Sequence, residues 1–180
     1  MTRLNKIERF KAELYSVDHK VALQASDELV KIGGQDILEL FISLLDHENS
    51  EIRDIAALSL HDIANNQALE PLLIAIKKSA NNNSNGTMAY ALETLDCSRK
   101  LKEIFDMLFF GDAEVKMAAT SILRDQDFYF NSDDLKDINA KWDEIKGHPD
   151  QSPLLESYKD TIEYFIDIYT KNNNKPKARN

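Results

Sequence analysis

ILELFISLLDHENSEIRDIAALSLHDI, residues 37–63, is two short amphipathic segments joined by a polar turn. Leu40, Phe41, Leu44 and Leu45 recur at helical spacing and form one apolar stripe. Asp46 to Ser50 interrupts that stripe with residues that favour turns and helix N-caps. Ile52, Ala56, Leu60 and Ile63 then follow at steps of four, four and three, and the small Ala56 and Ala57 let a neighbouring helix approach closely. Two helices with one stripe each cannot enclose a core. Stacked copies can, which is the logic of a helical repeat array.

The same register returns on either side. Leu40, Leu72 and Ile104 are 32 residues apart, as are Phe41, Leu73 and Phe105, and Leu44, Ile76 and Leu108. Val21, Ile52, Thr87 and Val115 each have an alanine four residues on (Ala25, Ala56, Ala91, Ala119) and a leucine eight on (Leu29, Leu60, Leu95, Leu123). The spacings between those markers are 31, 35 and 28, so turns absorb insertions while helices hold register. The fold expected is all-α, a right-handed α-solenoid of about four helical hairpins with a C-terminal capping pair. Repeats are expected at about 3–33, 35–65, 67–97 and 99–126, together spanning 1–127, with capping helices over 128–171 and a disordered polar tail at 172–180.

The stretch LLDHENSEIRDIAALSLHDIA resembles the HEAT repeat, in particular the short variety of small bacterial proteins and bilin-lyase-like chains. Ile52-Arg53 followed by Ala56-Ala57, Leu60 and Ile63 carries the likeness, and Asp46 stands where such repeats place an acidic residue. The third repeat departs from the pattern, with Thr87 and Met88 in place of the aliphatic-arginine pair. The resemblance implies an α-solenoid and a binding scaffold, and it implies no particular chemistry.

At 180 residues the chain can bury a continuous core, and five glycines and four prolines suit helices. A net charge of −9 opposes non-specific nucleic-acid binding, which needs lysine and arginine against phosphates. It favours a basic protein partner, or serves solubility alone. One cysteine, Cys97, excludes an internal disulfide and points to a reducing compartment. MTRLNKIERFKAEL has no apolar core of a secretory signal, and no run is long enough to span a membrane. A cytoplasmic location and a monomer are expected.

Several local features follow from the order of residues. Asp18 caps a second helix that Gly33-Gly34 ends, and Pro71 falls in a helix's first turn. Residues 79–86, SANNNSNG, read as an exposed irregular turn, with Asn85-Gly86 prone to turn formation. Ser132 is the expected cap of a helix striped by Leu135, Ile138, Trp142 and Ile145. Ser152-Pro153 opens the last helix, striped by Leu155, Tyr158, Ile162, Phe165 and Tyr169. Phe128, Tyr129, Phe130, Trp142, Tyr158 and Tyr164 are expected to pack the end of the array or to make an oligomer contact.

No catalytic constellation stands out. His19, His47, His61 and His148 fall on separate elements, without metal-ligand spacing, and no glycine-rich phosphate loop is present. His61 and Asp62, as helix neighbours, are not expected to face one another. Cys97 is expected near the end of the sixth helix, half-buried and without a cation to activate it. No cofactor and no metal are expected. The remaining candidate is the second-helix surface, whose positions between core residues form parallel ladders, acid-rich with a few basic breaks: Gln24, Asp27, Glu28 and Lys31; Arg53, Asp54, Ser59, His61 and Asp62; Tyr90, Glu93, Thr94 and Asp96; Met117, Ser121, Arg124 and Asp125. The partner-binding set is Asp27, Asp54, His61, Asp62, Tyr90, Glu93, Asp96, Met117 and Asp125, with Tyr90 and Met117 as apolar anchors among carboxylates. This describes a non-enzymatic scaffold for a basic protein, in its most concrete form a bacterial immunity or inhibitor protein. The alternatives are a lyase-type enzyme or enzyme accessory, or a subunit of a larger assembly.

Overall fold

The computed structural model describes residues 2–78 and 84–173, and the described residues contain no strand. Their helices are α1 (Arg3–Glu13), α2 (His19–Ile32), α3 (Gln35–Leu44), α4 (Ser50–Ile63), α5 (Leu69–Ile76), α6 (Asn85–Ala91), α7 (Leu101–Phe110), α8 (Ala113–Asp125), α9 (Ser132–Gly147) and α10 (Leu155–Asn173). The chain divides into two compact units, Met1–Leu95 and Asp96–Asn180. In the first, α1 packs on α2, α3 on α4 and α5 on α6, while α4 lies between α2 and α6. In the second, α7 packs on α8, and α9 and α10 pack on α7 and on each other. This is the all-α, paired-helix build of an α-solenoid.

The repeating register is the core. Phe41, Leu73 and Phe105 are buried, as are Leu44, Ile76 and Leu108. Ala25, Ala56, Ala91 and Ala119 are each 0% exposed, so these alanines mark where one helix presses against the next and a larger side chain has no room. Leu29, Leu60, Leu95 and Leu123 complete the stripe from inside. Full burial of one such leucine or phenylalanine contributes about 1.5–3 kcal/mol.

Polar contacts join positions one repeat apart. In the first unit Arg3 makes a two-pronged pair with Asp36 (3.0 and 2.8 Å), and Lys78 contacts both oxygens of Asp46 (2.6 and 2.7 Å). In the second Lys102 reaches Asp137 at 3.2 Å and Lys141 reaches Asp106. The pairs are exposed or partly exposed to solvent, so they serve register more than stability.

Two glycine sites are dictated by geometry. Gly33 (φ +62°) and Gly34 (φ +103°) end α2 in left-handed backbone, and a Cβ on Gly34 would stand 2.7 Å from the Arg3 guanidinium. Gly111 has no such φ; a Cβ there would collide with Val115 at 2.4 Å and the Met107 carbonyl at 2.6 Å.

Several expectations need correction. Asn85-Gly86 is the first turn of α6 rather than part of a loop, while residues 79–83 lie outside those described. α6 stops at Ala91 and passes through a single 3₁₀ turn, Leu92–Thr94, so Cys97 lies beyond the helix and is fully buried instead of half-buried. Asx-type capping diverts the chain there, since Asp96 accepts the Ser98 backbone N–H at 3.0 Å. The N-cap of α9 is Asn131, which forms a reciprocal capping box with Asp134, leaving Ser132 as the first helical residue. Ser152 precedes α10 by three residues; it is buried and its hydroxyl donates to the Phe109 carbonyl. The C-terminal aromatics divide: Phe128 and Trp142 are core, whereas Tyr129 and Tyr164 are exposed. The expected tail begins inside α10, which extends to Asn173, and residues 174–180 lie outside those described.

Candidate functional site

The α4 sequence SEIRDIAALSLHDI contains one cation, Arg53, and three carboxylates, Glu51, Asp54 and Asp62. Arg53 is 4% exposed: its guanidinium turns back beneath the α3–α4 turn and donates to the carbonyls of His47 (2.8 Å) and Glu48 (2.9 Å). Turn carbonyls have no partner in a helical ladder, and a long cationic side chain supplies one here. The expectation that Arg53 lies on the exposed ladder is therefore wrong. Ser59 is likewise buried, with its hydroxyl on the Ile55 carbonyl at 2.8 Å. α6 and the turn after it, residues 85–94, contain Glu93 and no lysine or arginine. Once Arg53 is withdrawn, the surfaces of α4 and α6 among the described residues carry no lysine or arginine side chain, and their charged groups are carboxylates.

At the centre of that surface His61 and Tyr90 stack, ring centroids 4.5 Å apart and planes 11° from parallel. His61 Nδ1 lies 3.1 Å from Asp62 Oδ1, so neighbouring positions on the helix do meet here, contrary to the sequence expectation. The carboxylate can only accept, so this hydrogen bond is donated by His61 Nδ1–H. Thr94 Oγ1 donates to the His61 carbonyl at 3.0 Å, tying the end of α6 to α4. One turn pair earlier, Asp54 is half-buried and its Oδ1 is enclosed with no hydrogen bond from the described residues. Tyr90 is 44% exposed and Asp62 is exposed, so the stack and a carboxylate both face solvent.

The other predicted ladder residues are less closely joined. Asp27 is exposed on α2, and Glu93 is half-buried beside Tyr90 on the 3₁₀ turn. Asp96, Met117 and Asp125 belong to the second unit. Asp96 is exposed, and its contacts at Ser98 hold its carboxyl below the ordinary carboxylate value. Met117 is 63% exposed on α8. Asp125 is paired to Arg124 through both oxygens at 2.8 Å, which lowers its pKa and offsets its charge. The structure thus brings His61, Asp62 and Tyr90 into contact, with Asp54 elsewhere on α4 and Glu93 on the turn that follows α6. The His61–Tyr90 stack was not legible in sequence, since it depends on how α6 lies against α4.

Two shallow hollows in the first unit, about 410 and 290 Å³, are lined respectively by Lys6, Arg9, Phe10 and Lys31, and by Tyr15, Val17, His47 and Ile55. Neither contains any of the nine predicted partner-binding residues. Burial pushes the Cys97 thiol up to about 12, so it is a poor nucleophile at neutral pH. Among the described residues no helix is long and apolar enough to cross a membrane, and no three His, Cys, Asp or Glu side chains are grouped to hold a metal.

Residues 7–83 match the family model for HEAT repeats. No curated protein matches the chain.

Proposed function

From the premise that this is a HEAT-repeat protein, a type whose repeats generally mediate protein–protein interaction, we propose that it binds a basic protein through the α4–α6 surface. The observation that carries this reading is the inward turn of Arg53, which strips α4, α6 and the turn after α6 of their one cation and leaves Glu51, Asp54, Asp62 and Glu93 as their charged groups beside a partly exposed His61–Tyr90 stack. Carboxylates steer a basic partner and speed encounter, while a rigid aromatic anchor supplies lasting affinity. Asp27 extends the reading to α2 within the first unit; Asp96, Met117 and Asp125, which belong to the second unit, are proposed as partner contacts of that unit.

An inhibitor or immunity protein that neutralises a basic toxin fits this surface, as does a regulatory adaptor. HEAT-repeat proteins are typically non-enzymatic scaffolds, and the enclosed Cys97 lends nothing to a lyase-type reading. The test is affinity capture of the protein from its host at low and raised salt, beside the Asp62→Lys/Glu93→Lys variant. The reading requires a basic protein that salt releases and the variant fails to hold. A partner held equally by both forms, or an acidic one, would contradict it.

A further inference from the structure

We propose that the His61–Tyr90 stack, with Asp62, forms an arginine-selective contact; the inference rests on the α4–α6 surface being the face that meets a basic protein. A basic surface offers two kinds of cation, and they differ in shape. Guanidinium is planar, weakly hydrated and able to fork onto a carboxylate while lying flat on a ring; an ammonium is a strongly hydrated point charge. The site is built for the flat ion. Its two rings are already parallel, at 4.5 Å and 11°, so the aromatic face does not have to be assembled on binding. Asp62 and Thr94 hold that face from two sides, through His61 Nδ1 (3.1 Å) and the His61 carbonyl (3.0 Å).

The charge around the stack points the same way. Tyr90 offers 44% of its surface to solvent, and the exposed Asp62 carboxylate lies beside the pair. The buried Oδ1 of Asp54, without a hydrogen-bond donor among the described residues, adds to the negative potential. No lysine or arginine of α4 or α6 competes, because Arg53 is engaged at the α3–α4 turn. Either cation can gain about 0.5–1 kcal/mol over a ring at an exposed site; only guanidinium lies flat and forks onto Asp62 at the same time, so that range, roughly two- to fivefold, sets the scale of the preference.

The experiment is calorimetric titration of the full chain with nona-arginine and nona-lysine peptides at one ionic strength. The wild type is expected to bind nona-arginine two- to fivefold tighter. Tyr90→Ala and His61→Ala should each weaken nona-arginine more than nona-lysine and so erase the preference, and Tyr90→Phe, which keeps the ring, should retain it. Equal affinity for the two peptides, or a preference unaltered in Tyr90→Ala, would overturn the arginine contact and leave the acidic surface standing. Failure of both peptides to bind would overturn the acidic-surface reading and this inference with it.

Discussion

Arg53 and Lys116 occupy the same place in their helix pairs, one residue after the aliphatic that starts the second-helix stripe, and both turn inward. Lys116 is 0% exposed; its Nζ donates to the carbonyls of Leu108 and Phe109 and lies 5.6 Å from the Tyr158 ring centroid. Desolvation lowers its pKa from 10.5 to about 8, with Asp112 opposing the shift. Between those values the unfolded chain holds a proton that the folded chain has released, so this residue makes stability rise with pH from about 8 toward 10.5. Urea unfolding at pH 7.5 and pH 10 should show that Lys116→Met loses this contribution, giving a smaller rise, or a steeper fall, than wild type; identical pH dependence in the two proteins would contradict it. The buried Cys97 should resist alkylation in the native protein at pH 8 and react at once in denaturant, as mass spectrometry would record. A helical wheel locates where each Cα faces, and that placed Ala56 and Leu60 correctly. It placed Arg53 wrongly because a long side chain can carry its charged end to a helix terminus on the far side of its own turn.

At the scale of the helix, the ends were harder to read than the faces. The stripes were legible because burial repeats every three or four residues, and the alanines of the register are fully enclosed. The ends depend on single side chains competing for the same backbone donors, and Asn131 outcompetes Ser132 because its oxygen reaches the amides of both Asp133 (2.7 Å) and Asp134 (3.0 Å). Asn131→Ala should cost about 1 kcal/mol in chemical unfolding. Ala64, which follows α4, is held at φ +50°, a left-handed conformation that penalises its Cβ. Ala64→Gly should therefore stabilise the protein by about 0.5–1 kcal/mol. Gly111→Ala should do the reverse, lowering the melting temperature, because the Met107 carbonyl and Val115 leave no space for a methyl group. A melting temperature unchanged in either variant would remove the corresponding geometric account.

At the scale of the molecule, the net charge of −9 suggested the sign of the partner without locating the contact. The proposed location rests on pairings that no linear reading supplies: Arg53 withdrawn from the surface, Asp125 offset by Arg124, and Tyr90 laid against His61. The most direct test is hydrogen exchange of the protein alone and with its captured partner. Binding through this surface predicts slowed exchange concentrated in residues 50–63 and 85–94. Protection confined to other segments, such as the exposed Tyr129 and Tyr164 regions, would contradict the central claim.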